Sequence, residues 1–465
     1  MTRIVARGVH LPLHRLERAS IGAGRGTRAV ASHDEDTTSM AVAAARTALA
    51  GAGGHLPGTV LFSTSAPAYA DRTNATAVLA ALGLDGDAAA YDFTGSVRSG
   101  IGAFRAAADA AAVGRTTLAV ASDIRTGLPG SAEERDGGDA AAALVFAPDG
   151  PCLAEVVATA AVSAEFLDRW RTPGEAAPHV WEERFGAAVY APLAARALEQ
   201  GLKAAGLDGG DVGHLLVTGP HGRAVAAARR AAGVRPEAVA DDRSGAVGVT
   251  GAAHPYLMLA DAVERAAPGD AIVLLVLADG ADCVVLRAGE LAGSAPGPAV
   301  AGALPGRPVA HQDMLVWRGL LRREPPRRPD PDRPAAPPSH RAADWKFAFT
   351  AGRCEDCGAR HLPPQRVCRR CRAADRMAPE PLAGRPGTIT TFTVDHLAYS
   401  VAPPVVVAVV DLDGGGRLQC ELTDADAERV RVGDRVELTF RRLHTTADGV
   451  HDYFWKARPV RGEEH

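Results

Sequence analysis

A chain of 465 residues is too long for one ordinary hydrophobic core and predicts two or three domains. With 47% apolar residues, 23% charged residues and a formal net charge of −4, it reads as globular, and nothing at whole-chain level points to nucleic acid or an acidic membrane. Seven cysteines, four of them within 18 residues, argue for a metal pattern in a reducing cytoplasm rather than a disulfide framework.

The opening run MTRIVARGVHLPLHRLERAS has no sustained apolar core and no small-residue cleavage site, so it is not expected to be a secretory signal. Within it TRIVARGVHL reads as a strand. TTSMAVAAARTALAGAG reads as a helix ending at glycine, GTVLFSTS as a strand, and NATAVLAALGLDG as a helix. GIGAFRAAADAAAVG is a long helix, TTLAVASD a strand, and GDAAAALVFAPDG the start of a hairpin. Strands alternating with helices predict a mostly parallel sheet covered on both faces.

The pattern then recurs. APLAARALEQGLKAAGLDGGD is a helix, HLLVTG a strand, and GRAVAAARRAAGV and GAAHPYLMLADAVERAAPGD are helices. AIVLLVLADGADCVVL, the most apolar run, is broken by aspartates and glycine, so it is a buried strand pair and not a membrane span. Each half closes with a helix, a strand and a returning strand, which predicts a weak internal duplication packed face to face.

From Arg322 to Pro338 the text changes to RREPPRRPDPDRPAAPP. Proline cannot donate ladder hydrogen bonds or continue a helix, so this is expected to be a stiff, extended, solvated spacer. Its five arginines also admit a nucleic-acid arm. Next comes Cys-x2-Cys, ten residues, Cys-x2-Cys, at Cys354, Cys357, Cys368 and Cys371. Two such knuckles present four thiolates to one soft ion, which suits structural zinc; a metal-free ribbon or a redox pair are the alternatives. In the last segment GTITTFTVDH, VVVAVVDLD, RLQCELT, RVELTFRRL and DYFWKAR are five strands. With a Gly414-Gly415-Gly416 turn and one short helical piece (ADAERV), they predict a β-barrel of the OB type. No stripe of aromatic and basic residues recurs along these strands; Phe392, Phe440, Tyr453, Phe454 and Trp455 are expected in a core or interface. Cys152, Cys283 and Cys420 lie in or beside apolar strands and read as small buried hydrophobes.

In HDEDTTSMAVAAARTAL, LFSTSAPAYADRTNATAVLAALGL, DFTGSVRSGIGAF, VASDIRTGLPGSAEERDGGDAAAALVF and GVTGAAHPYLMLADAVERAAPGD, the first 290 residues resemble a thiolase-superfamily condensing enzyme. The resemblance is to the hydroxymethylglutaryl-CoA synthase and ketoacyl-ACP synthase III type. From about Arg341 the chain resembles an acyl-CoA-associated module of zinc ribbon plus OB fold. The resemblance implies an α/β thiolase-like fold, duplicated as five layers α-β-α-β-α, followed by a zinc ribbon and a β-barrel OB fold. It divides the chain into thiolase-like halves at 1–165 and 166–290, a Pro/Arg-rich linker at 291–340, a rubredoxin-like zinc ribbon at 341–378 and an OB fold at 379–465. It further implies a coenzyme A or carrier-protein thioester as ligand, structural zinc, a homodimer and a separate thiolase subunit as partner. Neither nucleic acid nor a membrane is expected.

In that family a cysteine at a helix N-terminus takes the acyl group, and a histidine with an asparagine, or a histidine with a glutamate, handles protons and the oxyanion. Carried over position by position, the cysteine lands on Val97, the histidine near Thr218, the asparagine on Val249, and the glutamate near Thr64 and Ser65. None holds the expected side chain. Val97 has no nucleophilic atom; a small shift of register offers Ser96 or Ser99, which need a positioned base. Arg98 is placed near the mouth of the site, and His221 and His254 are the candidate bases. Two functions remain open at this stage. One is a condensing-enzyme homologue that processes acyl thioesters without a covalent acyl-enzyme; the other is a non-catalytic scaffold of an acyltransferase–thiolase complex.

Overall fold

The computed structural model describes residues 2–84, 86–324, 332, 334–398 and 400–460. They fall into two compact units. Met1–Ser32, Met40–Thr76 and Asp87–Met314 form the first; His33–Ser39, Ala77–Gly86 and Leu315–His465 form the second.

In chain order, β1 (Thr2–His10), β2 (His14–Glu17) and β3 (Thr27–Val30) precede α1 (Thr37–Ala50), and β4 (Thr59–Thr64), α2 (Ala75–Ala81) and β5 (Ala89–Thr94) precede α3 (Ser99–Ala112). Then come β6 (Thr117–Asp123), α4 (Ala132–Asp136), β7 (Ala140–Ala147), β8 (Ala154–Ser163) and the short pair β9 (Arg169–Trp170) and β10 (His179–Val180). The second half continues with α5 (Glu183–Ala205), β11 (Val212–Thr218), α6 (Gly222–Ala231), α7 (Ser244–Val247), α8 (His254–Val263), β12 (Ala271–Leu277) and β13 (Gly280–Ala288).

Strand pairing makes the duplication explicit. The sheet runs β11-β12-β13-β8-β1-β7-β6-β4-β5. β4 is parallel to β6, β6 antiparallel to β7, and β7 antiparallel to β1. β11 is parallel to β12, β12 antiparallel to β13, and β13 antiparallel to β8, so the same order and sense repeat. The two half-sheets join where Thr2–Ile4 pairs with Ala154–Val156. The expected hairpin after β7 does not form: β7 and β8 lie on either side of β1. A sequence pattern sees strand neighbours in the chain, and here a strand made much earlier separates them.

Helices α3 and α8 share one core with residues of β6, β7, β11, β12 and β13, and so fill the space between the half-sheets. Residues of α5 and α6 cover the other face of β11, β12 and β13. Alanine and glycine permit the close approach in the central layer. A Cβ on Gly100 of α3 would lie 2.4 Å from the Ala252 carbonyl oxygen. All eight residues of β7 are buried, as a strand covered on both faces requires.

Part of the run assigned to the linker is ordered. α9 (Val300–Ala303), β14 (Arg307–Pro308) and α10 (His311–Trp317) lie there, and β14 pairs parallel with β2. The buried Arg15 holds this stretch by donating to the carbonyls of Leu304 (3.0 Å) and Ala303 (2.8 Å). Of the proline-rich text, 325–331 and 333 lie outside the described residues, and Ala336–Arg341 forms α11, with Pro337 and Pro338 in its first turn, where their missing N–H costs nothing.

In the second unit α12 (Ala343–Lys346) leads into a three-stranded sheet of order β16-β15-β17, from β15 (Thr350–Cys354), β16 (Arg360–His361) and β17 (Met377–Pro381). The OB fold follows as β18 (Gly387–Asp395), β19 (Val405–Leu412), β20 (Arg417–Glu421), β21 (Arg435–Thr445) and β22 (His451–Pro459), antiparallel in the order β20-β19-β18-β21-β22. A bridge between Leu422 and Ala457 brings the two ends of that sheet together. The glycine triplet makes the β19–β20 turn with φ of 80°, 105° and 104°. ADAERV is a turn rather than a helix, in which Asp426 O accepts from Arg429 N (2.9 Å) and Val430 N (3.1 Å). Phe440, Tyr453 and Trp455 are buried in the barrel core.

Within the same unit the acidic segment His33–Ser39 packs against β21 and β22. Lys456 Nζ lies 3.1 Å from Asp34 and 2.7 Å from Glu421, Tyr453 Oη donates to Asp36 at 2.6 Å, and Arg442 N donates to Asp34 O at 3.0 Å.

Candidate functional site

The four cysteines of the knuckles come together from the β15–β16 turn and the loop before β17. Their sulfurs all lie within 4.8 Å of one another. Cys354 Sγ to Cys371 Sγ and Cys357 Sγ to Cys368 Sγ are both 3.6 Å. An ion bound tetrahedrally at about 2.3 Å from each sulfur requires edges of about 3.8 Å, so the quartet fits a tetrahedral thiolate site. The Cys371 amide donates to Cys368 Sγ at 3.5 Å, and His361 Nε2 lies 3.4 Å from the same sulfur. The Cys371 amide holds the Cys368 thiol down to about 5 against the opposing effect of burial, and His361 adds a smaller push in the same direction as the amide, which favours the thiolate form a metal takes. The three other cysteines are apart from this site and buried, and burial pushes the thiols of Cys152, Cys283 and Cys420 up to about 12.

In the first unit β5 ends at Thr94, and Gly95, with φ 105°, turns the chain into α3 through Ser96, Val97 and Arg98. Two chambers meet at this turn. The first, of about 90 Å³, is lined by Ser65, Ser96, Val97, Arg125, Arg169 and Arg171 among others. The second, of about 280 Å³, is lined by Val97, Thr218, Val249, Arg125, Arg169 and Arg229 among others. Val97, Thr218 and Val249, far apart in sequence, thus face one space, and Val97 stands where the chambers adjoin.

The hydroxyls at this turn are engaged by backbone. Ser96 Oγ accepts from Arg98 N at 3.1 Å, and Ser99 Oγ donates to Thr94 O at 3.0 Å. The Arg98 side chain is drawn to the β12–β13 turn, donating to Asp282 (2.8 Å) and to the Asp279 carbonyl (2.7 Å). His221 caps α6: its Nδ1 accepts from Ala224 N at 3.2 Å, and its Nε2 donates to Glu183 O at 2.8 Å. Both ring nitrogens are therefore occupied. His254 Nδ1 accepts from Thr250 N at 3.1 Å, and burial depresses the imidazole to about 4, so it is neutral. Its Nε2 has no hydrogen-bond partner among the described residues. Neither histidine is among the described residues that line the two chambers.

What lines the first chamber instead is an arginine cluster that sequence reasoning missed. Arg125 donates to Glu133 (2.6 Å) and to Ser65 Oγ (2.6 Å). Arg169 pairs with the same Glu133, and Arg171 donates to the Ser65 carbonyl. Asp123, fully buried, accepts from Thr64 Oγ1, Ser65 N, Ser65 Oγ and Ala252 N and so fixes the loop that carries Ser65. Burial pulls Arg169 down to about 9, and its neighbours Arg125 and Arg171 add to that. The signal was present as Arg169-Trp170-Arg171: two arginines in three residues, Arg169 in β9 and Arg171 just after it, both lining the chamber.

Comparison with known proteins follows the two units. The family described as ChsH2, rubredoxin-like zinc ribbon domain, matches residues 347–376, and ChsH2, C-terminal OB-fold domain, matches 380–441. A DUF35 domain-containing scaffold protein of Methanocaldococcus jannaschii is 30% identical over 119 residues, covering 25% of this chain and 84% of that protein. A hydroxymethylglutaryl-CoA synthase of Methanopyrus kandleri is 28% identical over 299 residues, covering 60% of this chain and 84% of the relative. Among solved structures, 3-oxoacyl-[acyl-carrier-protein] synthase III from Aquifex aeolicus superposes with a TM-score of 0.56 at 20% identity, covering 62% of this chain and 100% of its own. MvaS in complex with 3-hydroxy-3-methylglutaryl coenzyme A gives 0.57 at 21% identity, covering 69% of this chain and 93% of its own. The fold is thiolase-like in its first part and zinc ribbon plus OB fold in its last. Among the described residues no helix is long and apolar enough to cross a membrane.

Proposed function

Because the chain belongs to the family of DUF35 domain-containing scaffold proteins over 119 of its residues, we propose that it is a scaffold fused to its own condensing-enzyme homologue. The thiolase-like unit binds an acyl-CoA or acyl-carrier thioester and serves acyl transfer or carbon–carbon bond formation or cleavage. It forms no acyl-enzyme at position 97. The chain works as a homodimer in the cytoplasm, with a separate thiolase as partner, and its four-cysteine ribbon holds structural zinc. The observation that carries the reading is the position of Val97. A side chain with no nucleophilic atom stands where two chambers meet, flanked by serine hydroxyls that are engaged by backbone.

Incubation with acetyl-CoA or butyryl-CoA tests this. Protein mass should stay unchanged while the melting temperature rises, since a ligand that binds only the folded state stabilises it by mass action. Val97→Cys should become acylated, because a thiol at that turn gains thiolate character from the start of α3. Acylation of the wild type at Ser96 or Ser99 would mean a serine nucleophile instead. A second reading, a scaffold with no ligand of its own, is favoured by His221, whose two ring nitrogens are both occupied. It takes over if no acyl-CoA shifts the melting temperature.

A further inference from the structure

We propose that His361 is a positioning residue of the four-cysteine centre: its Nε2–H donates to the Cys368 sulfur, locks the second knuckle onto the first, and so tightens the hold on the ion. This rests on the zinc reading above and goes beyond the four ligands. Both residues are buried, and His361 Nε2 lies 3.4 Å from Cys368 Sγ. A metal-bound thiolate carries no proton and can only accept, so the ring nitrogen is the donor. The ligand atoms that come within 4.8 Å of one another are the four sulfurs alone, so the histidine is no fifth ligand.

The strand that carries the histidine explains its aim. β16 follows the first knuckle and pairs with β15, with Gly352 opposite His361 and Arg353 opposite Arg360. Side chains alternate along a strand. Arg360 takes one face and forks onto Glu380 of β17 at 2.7 and 2.8 Å, and His361 takes the other. β15 ends at Cys354, so the backbone under His361 is tied to a ligand of the first knuckle, while its ring reaches a ligand of the second. Cys368 thus accepts from two sides: from the Cys371 amide of its own knuckle at 3.5 Å and from His361 across the site. Among the described residues, no other side chain from outside the quartet donates to any of the four sulfurs. Four thiolates outweigh a divalent ion, so a donor on one of them offsets buried negative charge as well as fixing the direction of that sulfur.

Chelator competition for zinc on the full chain tests the proposal, with cobalt(II) as a spectroscopic probe of the same site. His361→Phe fills the space and removes the donor, and zinc should bind about 10–100-fold more weakly, the usual effect of losing an outer-shell partner. The sulfur-to-cobalt charge-transfer band should move to longer wavelength, because a thiolate without its donor gives up an electron more readily. His361→Gln, whose amide keeps an N–H, should recover most of both. Unchanged zinc affinity with an unchanged cobalt band in His361→Phe overturns the proposal. Equal weakening in the two variants with the cobalt band in place assigns His361 to the packing of β16 and also overturns it. If His361→Phe takes up no metal at all, His361→Gln decides: near wild-type affinity supports the proposal, and no uptake overturns it. A wild type that binds neither zinc nor cobalt overturns the zinc reading itself, and the proposal with it.

Discussion

Arg441 and Glu35 form an ion pair inside the second unit in which each side chain is only 1% exposed. Asp424 accepts from the same guanidinium at 2.8 Å, and Lys456 repeats the arrangement between Asp34 and Glu421. Taking ions out of water costs several kcal/mol each, repaid only when the partners are in place. Glu35→Leu removes one of the carboxylates that hold Arg441 in a dry site and leaves Asp424, with Asp34 nearby. The expected loss is about 3–5 kcal/mol of stability in the second unit. Faster hydrogen exchange in β21 and β22, with no change in β11 to β13, is the outcome that checks it. Adding Arg441→Met should recover part of the loss; a double variant as unstable as the single one speaks against the pair.

His254 sets a pH dependence in the first unit. Its folded-state value is lowered by burial from about 6.5 to about 4. Above pH 6.5 neither state holds the extra proton, and stability is full. As pH falls below 6.5 the unfolded chain takes up a proton that the folded chain refuses, and the loss levels off below about pH 4. The span corresponds to about 3 kcal/mol. Hydrogen exchange of α8 peptides at pH 7 and pH 5 should show the loss, and His254→Asn should flatten it. Equal slopes in the two proteins would assign the effect to other groups.

Zinc is expected at about one ion per chain, by the four-thiolate rule. Cys354→Ser should abolish it and release exchange protection across β15, β16 and β17, since metal binding and local folding are one equilibrium. Elemental analysis that finds no zinc, in protein never exposed to chelator, would falsify the assignment.

The homodimer is checked by light scattering at micromolar concentration, where twice the chain mass of 48.0 kDa is expected. A monomer at that concentration removes the expected pairing and weakens the proposed partnership with a separate thiolase.

Much of this architecture was legible because local chemistry wrote it. The Ala278–Asp279 turn between two apolar runs is the β12–β13 hairpin, with Asp279 at φ 47°. The cysteine spacing brought four sulfurs together, and five alternating runs formed the barrel sheet. Positions 97, 218 and 249, spread over more than 150 residues of sequence, line one chamber. What was illegible depends on pairs distant in sequence. Nothing in GDAAAALVFAPDG announces that β1 will slip between β7 and β8. His221 and His254 looked available, but the distant Glu183 carbonyl takes Nε2 of His221, and the fold buries His254. Nothing in the acidic text HDEDTTS points to its cations Arg441 and Lys456, more than 400 residues later.

That separation has a consequence for the order in which the protein is made. Synthesis proceeds at about 5–20 residues per second, so Glu35 emerges roughly 20–80 seconds before Arg441. For that interval Glu35 lacks Arg441 and Asp34 lacks Lys456. The last strands, β21 and β22, arrive carrying Arg441 and Lys456, and only then can the charges be dehydrated together. The acidic segment therefore cannot complete its place against the barrel until the last strands have been made.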